Sequence, residues 1–324
     1  MRSLRADQHQ TQYTPPQGWS GFSDQHSDMV LTMITENDKT AVMECYHQAN
    51  FYPASEQNYD WLDVVFLRHF DRLLTIADPF CGSGTMALAS ILNGHQVLAS
   101  DASPLSEMFI ATILADHQYF SDIQYQTLEC KNELGKQVIE KIIGSDFYKN
   151  DIASNYALIY CANGLIQGKN VTLEDFSQCQ SNISELLQKL VPYTKNLNKL
   201  LDYKTSDVAS LVIDNKVDIC YFDPPYFQRG SFKQALQPLL NFMGNRIALR
   251  EDESFLKNEA LYQKKLCQWL EVCYGTLSDD GMLLFTVSAE NELQRHQIFK
   301  ACGWVNLAIH TDYYLDQPYF YCIK

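Results

Sequence analysis

The stretch Leu73-Leu74-Thr75-Ile76-Ala77-Asp78-Pro79-Phe80-Cys81-Gly82-Ser83-Gly84-Thr85 decides how this chain folds. Its apolar run, Leu73 to Ala77, has the length of a buried strand and stops at Asp78-Pro79. Gly82, Ser83 and Gly84 supply a tight turn, Met86 to Leu92 continue as a helix, and Gly94 ends it. A second short run, Gln96-Val97-Leu98-Ala99, closes on Asp101. Strand, helix and strand in this order predict a βαβ crossover.

Working upstream, Trp61, Leu62, Val64, Val65, Leu67, Phe70 and Leu73 fall at helical spacing. Residues 1–55 are polar and turn-rich, and read as an N-terminal arm with one short helix near Asp38 to Gln48. Downstream, a helix is expected from about Pro104 to His117. Residues 118–199 then carry helical stretches, Tyr125 to Ile143 and Leu173 to Leu190 among them, without a convincing strand. They read as a helical insert. Strand patterns resume at 200–205, 217–222 and, after an Asp280-Gly281 turn, 282–287. Helices are expected over 232–245, interrupted by Pro238, over 254–274 and near 291–302. Segments 304–309 and 319–323 would close the chain as a hairpin, the second opened by Pro318. The expected fold is α/β, a Rossmann-like doubly wound sheet of mostly parallel strands with a terminal antiparallel hairpin. Residues 56–117 and 200–324 carry this sheet and its helices.

Composition narrows the class. With 46% hydrophobic and 20% charged residues in 324, the chain is neither disordered nor a disulfide-stapled miniprotein. A formal charge of −14 is the wrong sign for a freestanding, non-specific polyanion binder, so any such partner must meet a local patch. Ten cysteines without a C-x-x-C pair, and eight histidines without ligand spacing, point to a reduced protein with no metal. The first thirty residues hold no apolar core of a leader, and no eighteen apolar residues run together. A cytoplasmic location without membrane contact is expected.

Two constellations carry chemistry. In open parallel sheets, ligands bind beyond the carboxyl ends of the strands, near the switch in strand order. Asp78, Phe80, Gly82, Gly84 and Thr85 sit at one such end, where glycines let backbone approach a ligand and the next helix aims free N–H groups at it. Asp101, at the tip of the second strand, is where an acid accepts both ribose hydroxyls of an adenosine. The second constellation is Asp223-Pro224-Pro225-Tyr226, directly after an apolar strand and downstream of Asp207. Two prolines fix φ and remove donors, leaving carbonyls as outward acceptors beside one carboxylate. An exocyclic amine that gives one hydrogen to Asp223 and one to the Pro224 carbonyl favours a pyramidal nitrogen with an exposed lone pair, and Tyr226 offers a face for stacking the base. Taken singly, either motif also fits a plain turn.

Together, Asp78 to Thr85 and Asp223 to Tyr226 resemble the first and fourth motifs of class I S-adenosylmethionine-dependent amino-methyltransferases of the DPPY type. The resemblance covers residues 73–117 and 200–324, and implies that 56–117 and 200–324 form the catalytic domain and that the 118–199 insert is a candidate target-recognition subdomain. It implies a seven-stranded sheet, S-adenosylmethionine as cofactor with its methionyl group near Asp78, Phe80 and Gly82, ribose at Asp101 and adenine near Asp207. Asp at the first position and Tyr at the fourth are more like adenine-N6 enzymes, which implies a site-specific, adenine-specific DNA methyltransferase. The same motif pair also occurs in RNA methyltransferases, so a tRNA or rRNA base stays open as substrate, as does a non-catalytic methyltransferase-like subunit. The nucleic-acid partner is expected to be DNA ahead of RNA, and a partner subunit is left open. Residues 220–260 hold five basic and five acidic side chains, and Arg229, Arg246 and Arg250 among them are the best candidates for phosphate or guanine contact.

Overall fold

The computed structural model describes residues 36–52, 72–145, 151–208, 216–225, 232–244, 257–285, 310–314 and 317–324. In chain order its main elements are α1 (Glu36–Ala49), β1 (Thr75–Asp78), α2 (Thr85–Leu92), β2 (Gln96–Asp101) and α3 (Pro104–Ile113). There follow α4 (His117–Ser121), α5 (Glu133–Gly144), α6 (Ile152–Ile166), α7 (Leu173–Leu190) and α8 (Thr194–Leu200). The chain then returns to the sheet with β3 (Leu201–Thr205) and β4 (Val217–Tyr221), adds α9 (Phe232–Phe242) and α10 (Glu259–Thr276), and closes with β5 (Leu277–Phe285), β6 (His310–Tyr314) and β7 (Gln317–Ile323).

The sheet runs in the order β3-β2-β1-β4-β5-β7-β6. Pairings among β3, β2, β1, β4 and β5 are parallel, while β7 pairs antiparallel with both β5 and β6. The α/β class and the mixed sheet expected from the alternating pattern are therefore present. Strand order reverses between β1 and β4, the place where an open α/β sheet leaves a crevice at its carboxyl edge.

Helices cover both faces. On one, Ile76 of β1 packs with Leu88, Phe109, Tyr156, Ile183 and Leu239 in a core drawn from α2, α3, α6, α7 and α9. On the other, Ala77, Cys220, Phe222 and Leu283 pack against Leu266, Trp269, Leu270 and Cys273 of α10. Alternate residues of β1 thus feed opposite cores, the two-residue period of a strand covered twice.

Several details differ from the sequence reading. The region read as an arm contributes α1, whose Val42 and Tyr46 are fully buried in the first core. The insert shares that core too, through Tyr156, Ile159, Ile183 and Leu186, so neither segment is peripheral. Helix α6 is buried along nearly its whole length, which erases the one-sided stripe that marks a helix in sequence. Between α3 and α4 the chain breaks at Ala115, with φ of 53°, and Asp116 caps the start of α4, accepting from the Gln118 and Tyr119 amides. The long helix expected from Tyr125 is confined to α5.

Strand β5 begins at Leu277 and carries Asp280-Gly281 inside it, not before it. Asp280 takes φ of 65°, a conformation Asp tolerates better than bulkier residues, and the β4–β5 register shifts between Val217 and Ile219. The first arm of the closing pair lies at 310–314, whereas 304–309, the helix expected near 291–302 and residues 61–71 of the helical spacing upstream of β1 fall outside the described residues. Among the described residues eight cysteines are free, but Cys267 is disulfide-bonded, so the fully reduced reading does not extend to it. No helix among the described residues is long and apolar enough to cross a membrane.

Candidate active site at the β1–β4 crevice

The loop after β1 is shaped by two glycines in left-handed conformation, Gly82 with φ of 51° and Gly84 with φ of 79°. Any other residue type would be strained at both. Gly84 caps α2 without a side chain, so backbone N–H groups of the first turn face outward from the loop. The loop is pinned to β2: the Cys81 amide donates to the Ser100 carbonyl at 3.0 Å, and the Gly82 amide donates to Asp101 Oδ2 at 2.8 Å. Asp101 Oδ1 accepts from the Ser103 amide at 2.7 Å. Each of its oxygens keeps a second lone pair for an incoming hydroxyl.

Acids dominate the electrostatics here. Asp78 is 1% exposed, and neither of its carboxylate oxygens makes a hydrogen bond among the described residues. Burial pushes its pKa well above the usual carboxylate range, and the negative charges of Asp223 and Asp101 push it further; the nearby Phe80 amide opposes this only weakly. Asp101 is raised as well, burial outweighing the Ser103 and Gly82 amides that hold it down. The Cys81 thiol is driven up by burial, then by Asp101 and Asp78, which leaves it protonated and unreactive.

That Asp223 acts on Asp78 brings the second constellation to the first. It follows β4, the neighbour of β1, and the Phe222 amide before it donates to the Leu284 carbonyl at 2.7 Å. Asp223, Pro224 and Pro225 are half-buried, at the surface of the crevice. Between the two loops, the Phe80 ring meets Phe222 at 5.5 Å and Trp269 at 5.3 Å, both edge to face, forming an aromatic floor. Asp207, just past β3, lies 3.7 Å from Lys265 Nζ on α10. Tyr226, Arg229, Arg246 and Arg250 lie outside the described residues.

A family model, D12 class N6 adenine-specific DNA methyltransferase, matches residues 64–237, which include both loops. The chain belongs to the D12 class methyltransferase family. It is a methyltransferase that depends on S-adenosylmethionine. No curated protein sequence matches it. Among solved structures it is similar to magnesium protoporphyrin IX methyltransferase of Synechocystis PCC 6803 with bound S-adenosylmethionine, at 11% identity over 89% of this chain and 97% of that one, with a TM-score of 0.36. A methyltransferase of Pyrococcus furiosus has 11% identity, coverage of 90% and 99%, and a TM-score of 0.37. A ribosomal protein L11 methylase of Lactobacillus delbrueckii subsp. bulgaricus has 11% identity, coverage of 84% and 79%, and a TM-score of 0.33. At such scores these likenesses carry no argument about mechanism or substrate.

The residues of this D12 class chain fit the cofactor. A buried carboxylate whose oxygens make no hydrogen bond among the described residues, raised in pKa by burial and then by two further acids with no basic group opposing them, fits a cation. The sulfonium and ammonium groups of S-adenosylmethionine are such cations, and Asp101 keeps acceptor capacity for ribose hydroxyls.

Sequence reasoning missed the part of α1 that closes the glycine loop from behind. The Tyr46 hydroxyl donates to the Ser83 carbonyl, Asn50 Nδ2 donates to Thr85 Oγ1 at 3.4 Å, and the Tyr52 ring lies where a Cβ on Gly82 would sit 3.1 Å from it. A signal was available. Val42, Met43, Tyr46 and Ala49 recur at helical spacing, the stripe of a helix that faces a core.

Proposed function

We propose that the protein methylates the exocyclic amine of a nucleic-acid base, with N6 of adenine in DNA as the substrate. The observation that carries this reading is the parallel pairing of β1 with β4, which ends the strands leading to Asp78 and Asp223 at one crevice, where the charge of Asp223 acts on Asp78. The D12 class family supports adenine as the base and DNA as the polymer.

When bound, S-adenosylmethionine supplies an electrophilic methyl group on a sulfonium. Asp78 holds the cationic end of the cofactor, the glycine loop and the start of α2 offer backbone N–H groups, and Asp101 takes the ribose. Asp207 is assigned to the adenine of the cofactor. Across the crevice, Asp223 and the Pro224 carbonyl accept the two hydrogens of the target amine, which turns its lone pair toward the methyl carbon. Pro225 keeps that carbonyl aimed, Tyr226 stacks on the base, and the proton lost after transfer leaves to solvent or to Asp223. A base within a duplex must be extruded to reach Asp223, at a cost of about a few kcal/mol. Arg229, Arg246 and Arg250 are assigned to the nucleic acid.

Methyl label incorporated into DNA, tRNA and rRNA, followed by nucleoside mass spectrometry, tests this reading. Label in N6-methyladenine of DNA is the expected outcome. Label only in RNA would replace DNA with RNA as substrate, and tight cofactor binding without transfer to any nucleic acid would identify a non-catalytic subunit.

A further inference from the structure

Two positive-φ glycines let the loop after β1 approach a ligand, and they also let it relax away. The peptide between Ser83 and Gly84 is the weak point, because glycine accepts φ of either sign and the Ser83 side chain is engaged elsewhere, its hydroxyl 2.9 Å from Thr85 Oγ1. The Gly84 amide donates to the Cys81 carbonyl at 2.6 Å, while at the carbonyl end of this peptide the partner among the described residues is a side chain, Tyr46. Tyr46 comes from α1, separated by 37 positions, and is itself fully buried among α1, α2 and α7 residues. Its hydroxyl spends its one donor on Ser83. Asn50 and Tyr52 meet the same loop at Thr85 and Gly82, so the chain from 46 to 52 follows the loop's outer side.

We propose that Tyr46 is a positioning residue for cofactor binding: its hydroxyl fixes the Ser83–Gly84 peptide in the orientation that lets the loop and the first turn of α2 receive S-adenosylmethionine. The inference rests on the reading of this loop as the cofactor site. Tyr46 acts through the Ser83 carbonyl and touches no reacting atom. Holding the loop ready removes an ordering cost that binding would otherwise bear, so the effect falls on cofactor affinity and not on the chemical step.

The test uses the full chain and S-adenosylmethionine in titration calorimetry, with steady-state kinetics and thermal unfolding in parallel. Tyr46→Phe keeps the buried ring and removes one hydrogen bond. It is expected to weaken cofactor affinity about fivefold to tenfold and to raise KM for the cofactor equally, with kcat at saturating cofactor unchanged. Tyr156→Phe removes an equally buried hydroxyl that donates to the Ala49 carbonyl at 3.0 Å in the same helix, without touching the loop. That variant should lower the unfolding temperature and leave cofactor affinity as it was. Asn50→Ala, half-buried at the loop's far end, keeps the question open to measurement should Tyr46→Phe fold poorly; about a twofold loss of affinity is expected from its longer contact. Wild-type affinity in a folded Tyr46→Phe, or an equal loss in Tyr156→Phe, overturns the proposal; should Tyr46→Phe not fold, wild-type affinity in Asn50→Ala overturns it. A wild-type protein that binds no S-adenosylmethionine overturns the cofactor reading instead.

Discussion

The glycine loop after β1 owes its shape to hydrogen bonds arriving from β2, from Asp101 and from α1, whereas the turn after β4 owes its shape to two consecutive prolines. The first kind of stiffness is borrowed from distant residues, and the second is written into the covalent chain. Substitutions far from the crevice are therefore expected to act on cofactor binding, while the acceptor turn takes most of its stiffness from its own prolines. In the proposed function the difference also divides the chemistry: the borrowed scaffold would surround the cation of the cofactor, and the covalent one stands half-buried where the base would enter.

The sharpest break in this division is Asp223→Ala. Because Asp223 belongs to the acceptor turn, transfer should fall by about 10²–10³-fold or more, the cost typical of losing one oriented electrostatic contact. Cofactor affinity should stay within about twofold, since Asp223 acts on Asp78 through its charge and is assigned to the acceptor side. Calorimetry in which Asp223→Ala no longer takes up S-adenosylmethionine would merge the two loops into one binding unit.

Next in size is Gly84→Leu. The structure places the blow somewhere other than the cofactor: a Cβ at Gly84 would stand 2.8 Å from Ile110 Cδ1 and 3.2 Å from Ile113 Cδ1, both on α3, with φ of 79° adding strain. Loss of stability on the order of 2–5 kcal/mol is expected, visible in urea or thermal unfolding of the protein without ligand. A variant as stable as wild type yet unable to bind would place ligand, not α3, against Gly84.

A third prediction concerns pH. Asp78 holds its proton above the ordinary carboxylate range, and a bound cation favours its ionised form. Protons and cofactor then compete, so cofactor affinity should strengthen as pH rises through the raised pKa, by at most about tenfold per unit, and level off above it. Stability of the unliganded protein moves the opposite way. A carboxyl whose pKa is raised on folding contributes fully below its unfolded value, and that contribution is lost as pH climbs toward the folded one. Asp78→Asn should flatten the pH profile of binding, weaken binding near neutrality and stabilise the unliganded protein there. A profile that Asp78→Asn leaves unchanged would assign the titration to another group.

How much could be read beforehand follows from the same contrast. The run Thr75 to Asp78 with its two glycines, the strand ending at Asp101 and the proline pair after Phe222 are local signals, and each stands within a few residues of the expected element. The role of α1 was not legible, because its meaning lies in a hydrogen bond to Ser83 from a segment that looks like a polar arm when taken alone. Helix α6 was hidden for the opposite reason, being apolar on every side. Asp280-Gly281 has the composition of a turn, and only pairing with β4 reveals that the strand passes through it. Asp78 stood out by position, yet its lack of a partner is a property of the packed interior that no spacing encodes.

The smallest expected effect is at Lys265. Asp207 is assigned to the adenine of the cofactor, and Lys265 is the cation beside it, so removing the charge tests whether the outer rim of the cofactor site also depends on borrowed support. The pair is long, at 3.7 Å, and its side chains are 33% and 19% exposed, a setting in which an ion pair contributes roughly 0–1 kcal/mol. Lys265 also stands 5.7 Å above the Trp269 ring, and the aliphatic part of methionine would keep that contact. Lys265→Met should therefore change cofactor affinity by no more than about twofold, with the difference shrinking further at high salt. A tenfold loss in calorimetry would mean that Asp207 needs Lys265 to hold its orientation, and would extend the borrowed scaffold from the glycine loop to the end of β3.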